Sequence, residues 1–444
     1  MLSRRLIAYE LAATLLAGLW SARSLEARAS TYLGTNTNRW QRRLIADVLE
    51  PGAPYPPSPT RLARILGDSV YFDRAAALVL RRTMPPPLVL DSPAFALAPA
   101  FAAMHAPRIE SVGELARWLG MPIERLDWLA DQRRQHGRAE FPILQHYHYR
   151  FVPKRSGGAP RLIEAPKQHL KAVQQRILAE ILDLAPVHSC AHGFVRGRSC
   201  LSGAQLHAGE HVVIRADLKD FFPSIRAARI HGLFRSIGYP SGVARVLTGL
   251  CTTMTPRSVF ERTKEGKQFP WLACKVFGAP HLAQGAPTSP ALANLCAWRM
   301  DQRCEGLARS LGCAYTRYAD DLTFSGDAAF ARRSKYLLAA LDEIAAEEGF
   351  VVNRPKTRVM GRAGQQRVTG VVVNSHVNIA RSDYDALKAI LHNCAKTGAA
   401  SQNKTGHPDF RAHLGGRVGW VEQVNLARGA KLRAVFEAID WTRG

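Results

Sequence analysis

The chain of 444 residues carries 60 lysines and arginines against 36 aspartates and glutamates, a formal charge of +24, and 47% of it is apolar. That length and apolar share support a globular protein of two or three ordinary domains. The charge points to a polyanionic partner, and no stretch of about 18 uninterrupted apolar residues is present to span a bilayer.

At the N-terminus, Arg4-Arg5, the run Leu6 to Trp20 and Ala27-Arg-Ala29 imitate the three regions of a signal peptide. Glu10 interrupts the run and further arginines follow, so an amphipathic helix docked on the protein is expected instead. Residues 1–110 are rich in alanine and arginine and are broken by Pro51-Gly-Ala-Pro-Tyr-Pro-Pro-Ser-Pro59 and Pro85-Pro-Pro87. Short helical pieces with proline-stiffened linkers are expected there, not one compact domain. Next, Ser111-Val-Gly-Glu114 reads as a capping box opening a helix to Leu119, followed by a second helix from Ile123 to Ala130. Leu115, Trp118, Leu119, Leu126, Trp128 and Leu129 are candidate core faces, which favours plain packing over a DNA-reading helix pair.

From Tyr147 the pattern alternates, with Tyr147, Tyr149 and Phe151 on one side and His148 and Arg150 on the other. A turn at Ser156-Gly-Gly158 folds this strand back onto Arg161-Leu-Ile-Glu164, a hairpin carrying Lys154, Arg155 and Arg161. Leu170, Val173, Ile177, Leu178, Ile181 and Leu182 then form a helical stripe, with Lys167, Lys171, Gln175 and Arg176 on its other faces. The loop Ala191-His-Gly-Phe-Val-Arg-Gly-Arg-Ser199 joins glycines, which permit close backbone approach, to phosphate-binding arginines.

The run Val212 to Ile214 predicts a buried strand that delivers Asp217 at its end. Residues 251–280, with Arg257, Arg262, Lys264 and Lys267 around Gly266, read as an insertion without assigned chemistry. In Gln284-Gly-Ala-Pro-Thr-Ser-Pro290, small residues let the backbone approach a partner, Ser289 can cap a helix from Ala291 to Leu311, and Pro290 can open it. Two short strands rich in β-branched and aromatic residues then meet at Asp320-Asp321 in Thr316-Arg-Tyr-Ala-Asp-Asp-Leu-Thr-Phe324. Like charges so close raise each other's pKa unless a cation lies between them. Hard divalent cations with oxygen ligands, Mg²⁺ above all, are the usual answer. With Asp217, three carboxylates from two strands suit two metals about 3.5–4 Å apart, the clamp of in-line phosphoryl displacement.

Beyond the hairpin, a helix from Arg332 to Glu348, a strand at Phe350-Val-Val352 and a turn at Asn353-Arg-Pro-Lys356-Thr357 are expected. Lys356 in that turn is a point charge suited to phosphate. The eight cysteines are scattered without a Cys-x-x-Cys pair, as buried small hydrophobes in a reducing cytoplasm would be.

The segment around Asp217, Gln284 to Pro290, and Tyr318-Ala-Asp-Asp321 together resemble motifs A, B and C of reverse transcriptases. The resemblance covers about residues 112–444. It implies an α+β right-hand polymerase fold, with fingers over 111–210, a palm with an antiparallel sheet over 211–380 that takes in the 251–280 insertion, and a helical thumb over 381–444, after a mainly helical extension over 1–110. It implies two Mg²⁺ held at Asp217, Leu218, Asp320 and Asp321, with Asp220 a lesser polar neighbour. It makes Arg161 and Lys154 contacts to the incoming triphosphate, residues 191–199 a template contact, Phe222 the aromatic that rejects a ribose 2′-hydroxyl, and Gln284 a neighbour of the nascent pair. Phe221 is expected in the core, and Lys356 falls in motif D, which makes it a candidate proton donor to departing pyrophosphate or a phosphate-binding point charge.

Val368-Thr-Gly370 and Gly203-Ala-Gln-Leu-His207 resemble two motifs of bacterial retron enzymes, the second with Gly203 where the family has Asn. A retron enzyme primes DNA synthesis from a 2′-hydroxyl within its own structured non-coding RNA, giving a branched RNA–DNA. Family members serve in antiphage defence with an effector protein. RNA recognition is expected on the thumb, whose apolar stripe (Leu387, Ile390, Leu391, Leu414, Val418, Trp420, Val421) backs a positive face of Arg411, Arg417, Arg428, Lys431 and Arg433. The chain ends soon after it, which counts against a group II intron protein. The alternatives are another defence-associated or group II-like reverse transcriptase and, in a different class, a catalytically silent RNA-binding scaffold.

Overall fold

The computed structural model describes residues 3–17, 20–49, 57, 59–82, 94–132, 135, 142–154, 157, 159–261, 263–269 and 271–442. The chain divides into two compact units, the first made of residues 1–96, 108–115 and 238–243.

In the first unit, α1 (Arg4–Leu16), α2 (Ala22–Leu33), α3 (Arg39–Val48), α4 (Pro59–Asp68) and α5 (Phe72–Leu80) share one core. Serines at positions 3 and 21 cap α1 and α2, Asn38 and Gln41 form a capping box on α3, and Gly34 ends α2 in the left-handed region. Ile7, Leu11, Leu15, Leu25, Tyr32, Leu44, Leu62, Leu66 and Phe72 are fully or almost fully buried. The signal-peptide-like segment is thus a docked helix, and Glu10 accepts a hydrogen bond from the Tyr32 hydroxyl at 2.9 Å. The expectation of separate helical pieces is corrected. Each helix is too short to be stable alone, but each carries an apolar stripe that the others cover. The proline runs lie outside the described residues apart from Pro57 and Pro59.

The second unit is α+β. Strands β1 (Tyr147–Val152) and β2 (Arg161–Pro166) form the expected hairpin; Arg155, Ser156 and Gly158 lie outside the described residues. Strands β3 (Val212–Asp217), β4 (Ala314–Tyr318), β5 (Asp321–Gly326) and β6 (Arg358–Gly361) make an antiparallel sheet in the order β4-β5-β3-β6. A last hairpin joins β7 (Arg367–Val368) to β8 (Val371–Val372).

Several expectations are corrected here. Phe350–Val352 is no strand; it makes a single bridge, Val352 to Leu218, and the edge beside β3 goes to β6. The helix expected from Ala291 is two helices, Ser289–Cys296 and Trp298–Leu311, broken where the Cys296 carbonyl accepts from Arg229. Its cap position is Thr288, without a side-chain hydrogen bond. Ser334 opens the helix expected from Arg332, because Asp327 caps a separate turn, Ala328–Arg332. The Ser111 hydroxyl accepts from the Glu114 amide, but the Glu114 carboxylate reaches the Glu110 amide, one residue short of a capping box. Trp128 is half exposed, its ring edge-on to His146, while the other five candidate core residues of that helix pair are buried or partly buried. Residues 251–280 pack Phe260, Phe269 and Phe277 against Tyr149, Phe151 and Leu162 of the β1–β2 hairpin, so the insertion belongs with the segment expected as fingers.

Helices Arg381–Thr397, Phe410–Val424 and Leu426–Glu437 form the segment expected as the thumb. Their core, with Leu387, Leu391, Leu414, Val418 and Val421, continues into Val213 of β3 and Val368 and Val371 of the last hairpin. The expected positive face is partly neutralised. Arg433 is held bidentately by Glu422 at 2.9 and 2.6 Å, and Arg428 lies over the Tyr384 ring. The eight cysteines are free thiols, five of them buried.

Candidate active site

The β4–β5 hairpin pairs Tyr318 with Asp321, leaving Ala319-Asp320 as a two-residue turn with Ala319 at φ +56°. Strand β3 pairs Asp217 with Asp321. Antiparallel register therefore brings Asp217, Asp320 and Asp321 to one end of the sheet, although about a hundred residues separate the first from the others. The Leu218 amide donates to the Asp320 carbonyl at 2.9 Å, pinning the turn to the end of β3.

The charges there are unequal. Burial, then the negative charges of Asp217 and Asp321, push Asp320 up to about 6. Burial also raises Asp321, while Arg215 pulls it back. Arg215 grips Asp321 with two hydrogen bonds of 3.0 and 3.1 Å. The Lys356 ammonium sits on both oxygens of Asp217 at 3.1 and 2.9 Å, and the Asn353 amide donates to the same carboxylate at 3.0 Å. With two carboxylates each turned on a cation, no group of three ligand residues is arrayed around a metal position among the described residues. The donor chemistry nevertheless fits a hard divalent ion: the ligands are oxygens only, and such an ion would offset both the burial and the repulsion that raise Asp320. Arg215 is a site residue that the sequence motifs do not single out. Its signal is the period of two, which puts it on the same face of β3 as Asp217.

Phe221 is buried, and Phe222 is half-buried beside it. Phe194, at φ +60° and half exposed, lies 6.2 Å from the Phe222 ring and 6.3 Å from Tyr318. The loop carrying it approaches the turn so closely that a Cβ on Gly193 would stand 2.6 Å from the Ala319 nitrogen. Arg198 ties this loop to itself, its Nη1 donating to the carbonyls of His188, Ser189 and Ala191. Asp220 is exposed.

The loop after Gln284 makes its close approach to β2. The Glu164 amide donates to the Gln284 carbonyl at 2.9 Å, and a Cβ on Gly285 would stand 3.0 Å from the Glu164 carbonyl oxygen. Beneath it, the buried Glu164 carboxylate meets His281 at 2.9 Å and Thr255 at 2.6 Å, a network the sequence did not announce. Arg161 and Lys154 are exposed on the β1–β2 hairpin, a different sheet from the carboxylates, and no hydrogen bond or ion pair joins them to the three aspartates among the described residues.

Thr369 and Gly370, at φ +47° and +90°, form the turn between β7 and β8, and the Thr369 hydroxyl donates to the Cys200 carbonyl at 3.3 Å. From the helix that begins there, the chain runs to His207, whose two ring nitrogens lie 2.7 Å from the hydroxyls of Ser325 and Thr316 on β5 and β4. Burial pushes His207 down to about 3, so the ring is neutral at pH 7. Gly203 lies against the His192 ring, where a Cβ would approach to 3.3 Å, and an Asn there would displace that ring.

Residues 152–373 match the family model described as "Reverse transcriptase (RNA-dependent DNA polymerase)". Retron Mx65 reverse transcriptase of Myxococcus xanthus is 45% identical over 290 residues, 65% of this chain and 64% of that protein. Retron Mx162 reverse transcriptase of the same organism is 36% identical over 75% of this chain and 68% of its own length. Retron Ec86 reverse transcriptase of Escherichia coli is 36% identical over 53% of this chain and 67% of its own length. The chain spans about two thirds of the length of these curated relatives.

Proposed function

The chain belongs to the reverse transcriptase family, with retron enzymes among its relatives, and from that premise we propose that it is the RNA-directed DNA polymerase of a retron. Its template is a structured non-coding RNA whose internal 2′-hydroxyl is the first primer, and its product is a branched RNA–DNA. The observation that carries this reading is the meeting of Asp217, Asp320 and Asp321 at one sheet end, with Lys356 on Asp217 and with Phe222 and Tyr318 flanking Phe194. In each cycle the primer hydroxyl oxygen attacks the α-phosphorus of a deoxynucleoside triphosphate and the α–β bridge breaks, releasing pyrophosphate.

Asp217, Asp320, Asp321 and the backbone at Leu218 would hold two Mg²⁺. When bound, the ions would supply charge stabilisation to the attacking and leaving oxygens. The rest is the work of side chains. Arg161, through its planar fork, and Lys154 bind the triphosphate. Phe222 closes the space beneath the sugar, and Gln284 lies near the nascent pair. Arg417 and Lys431, which have no acidic partner among the described residues, contribute phosphate contacts from the thumb to the RNA. The likeness to retron enzymes supports a place in antiphage defence beside an effector protein. No helix among the described residues is long and apolar enough to cross a membrane.

The test is to purify the protein with its bound nucleic acid, add deoxynucleotides and Mg²⁺, and sequence the product before and after ribonuclease. DNA that stays joined to a single ribonucleotide through a 2′ linkage is expected. Extension of a primed RNA without any branched product favours another defence-associated or group II-like reverse transcriptase. RNA binding without incorporation on either template leaves a silent scaffold. Lys356 has its own test, because Lys356→Gln separates two roles. Loss of a general acid lowers kcat by about 10²–10⁴-fold at constant KM, whereas loss of a phosphate contact raises KM for the triphosphate and spares kcat. Steady-state kinetics distinguish them, and no change in either constant would leave Lys356 as a partner of Asp217 alone.

A further inference from the structure

Arg317, the residue before Tyr318, is completely buried. Its Nε and Nη2 donate to the two oxygens of Asp301 at 2.7 and 2.6 Å, and the Tyr315 hydroxyl donates to the same carboxylate at 2.8 Å. Its Nη1 donates to Asn294 Oδ1 at 3.0 Å and to the carbonyl of Ala319 at 3.1 Å. Asn294 in turn donates to the Gly193 carbonyl at 2.9 Å. The Arg317 backbone is tied to the same loop, its amide donating to the Cys190 carbonyl at 2.8 Å and its carbonyl accepting from His192 at 2.7 Å. One guanidinium thus links helix Ser289–Cys296, helix Trp298–Leu311, the 190–194 loop and the turn that carries Asp320.

A buried ion pair is a poor source of stability, since desolvating both charges offsets their attraction and apolar replacements of similar volume are often neutral. Geometry is the better account. Ala319 is a non-glycine residue in the left-handed region, a strained conformation that persists where the surroundings impose it. The bond from Arg317 to its carbonyl and the close packing of the Gly193 backbone beside its nitrogen, which leaves no room for a Cβ, hold it from two sides. We propose that Arg317 is a positioning residue that sets the Ala319-Asp320 turn, and through it the direction of the Asp320 carboxylate, with Asp301 and Asn294 as its supports. The proposal rests on the polymerase reading above.

The paired variant Arg317→Met with Asp301→Leu removes both buried charges together. It is expected to keep the melting temperature and RNA affinity of the parent and to lose about a hundredfold in kcat at unchanged KM, the cost of a misplacement of about 1 Å. Arg317→Lys keeps a charge for Asp301 but has no fork to reach Ala319 as well, and a loss of at least about tenfold in kcat is expected from the same cause. In both, amide exchange over residues 318–321 should quicken in metal-free protein. Parental kcat and exchange in a paired variant that melts like the parent would overturn the proposal. Where the pair fails to fold, parental kcat and exchange in Arg317→Lys would do so. A parent that makes no DNA at all refutes the polymerase reading instead, and the exchange measurement still decides the role of Arg317.

Discussion

Asp320→Asn is expected to abolish DNA synthesis and at the same time to make the metal-free protein more stable at pH 7. The first effect follows from removing one of three carboxylates at the sheet end. If it withdraws about 4 kcal/mol of transition-state charge stabilisation, the rate falls about a thousandfold. The second follows from the raised pKa. Folded Asp320 titrates at about 6 against an ordinary 3.8, chiefly because it is buried and then because Asp217 and Asp321 repel its charge. The folded state therefore holds this proton more tightly than the unfolded state, so stability is fullest below about pH 4, declines as pH rises towards 6, and stays reduced above that. Asparagine never ionises and escapes a penalty of up to about 3 kcal/mol. Urea unfolding in chelator at pH 4 and pH 7 checks this, with the variant ahead only at pH 7. Extension of a primed RNA at more than a tenth of the parental rate would remove Asp320 from the chemistry.

Phe222→Ala is expected to let the enzyme accept ribonucleotides. The ring is half-buried, with Phe221 5.5 Å away and Phe194 6.2 Å away, so its truncation opens space at the surface of the site without opening the core. Steric discrimination over one small group is worth about 10–200-fold, and the preference for deoxynucleotides should shrink by that factor. Single-nucleotide incorporation with paired ribo- and deoxynucleotides measures it. An unchanged preference together with a lowered melting temperature would make Phe222 a packing residue.

Much of this site is legible in the order of the amino acids. The apolar run ending at Asp217 and the β-branched flanks of Asp320-Asp321 are local patterns, and alternation with a period of two specifies strands wherever one face is buried. The last hairpin is legible as the Val368-Thr-Gly370 motif, though not as a pair of strands, and the stripes of the three C-terminal helices are legible in the same local way. Local pattern misleads where it is weak or where a partner decides the outcome. Phe350–Val352 has the composition of a strand, yet the edge of β3 goes to Arg358–Gly361. Apolar stripes spread over five short helices predict pieces and fold into one core.

Charge is the least legible of all. Arg215, Lys356, Arg198 and Arg317 look alike in a sequence with 60 basic residues, and composition alone reads them as polyanion contacts. Tertiary structure gives them different fates. Arg215 and Lys356 neutralise carboxylates of the site, Arg198 ties a loop to itself, and Arg317 is buried on an aspartate 16 residues earlier in the chain. The strands that carry the carboxylates, the order of the motifs and the three aspartates are legible in the chain, because periodicity and turn chemistry act between near neighbours. Only the tertiary structure decided which cation meets which anion and how the Asp320 turn is held, because a charged side chain takes its partner from whatever segments burial brings beside it.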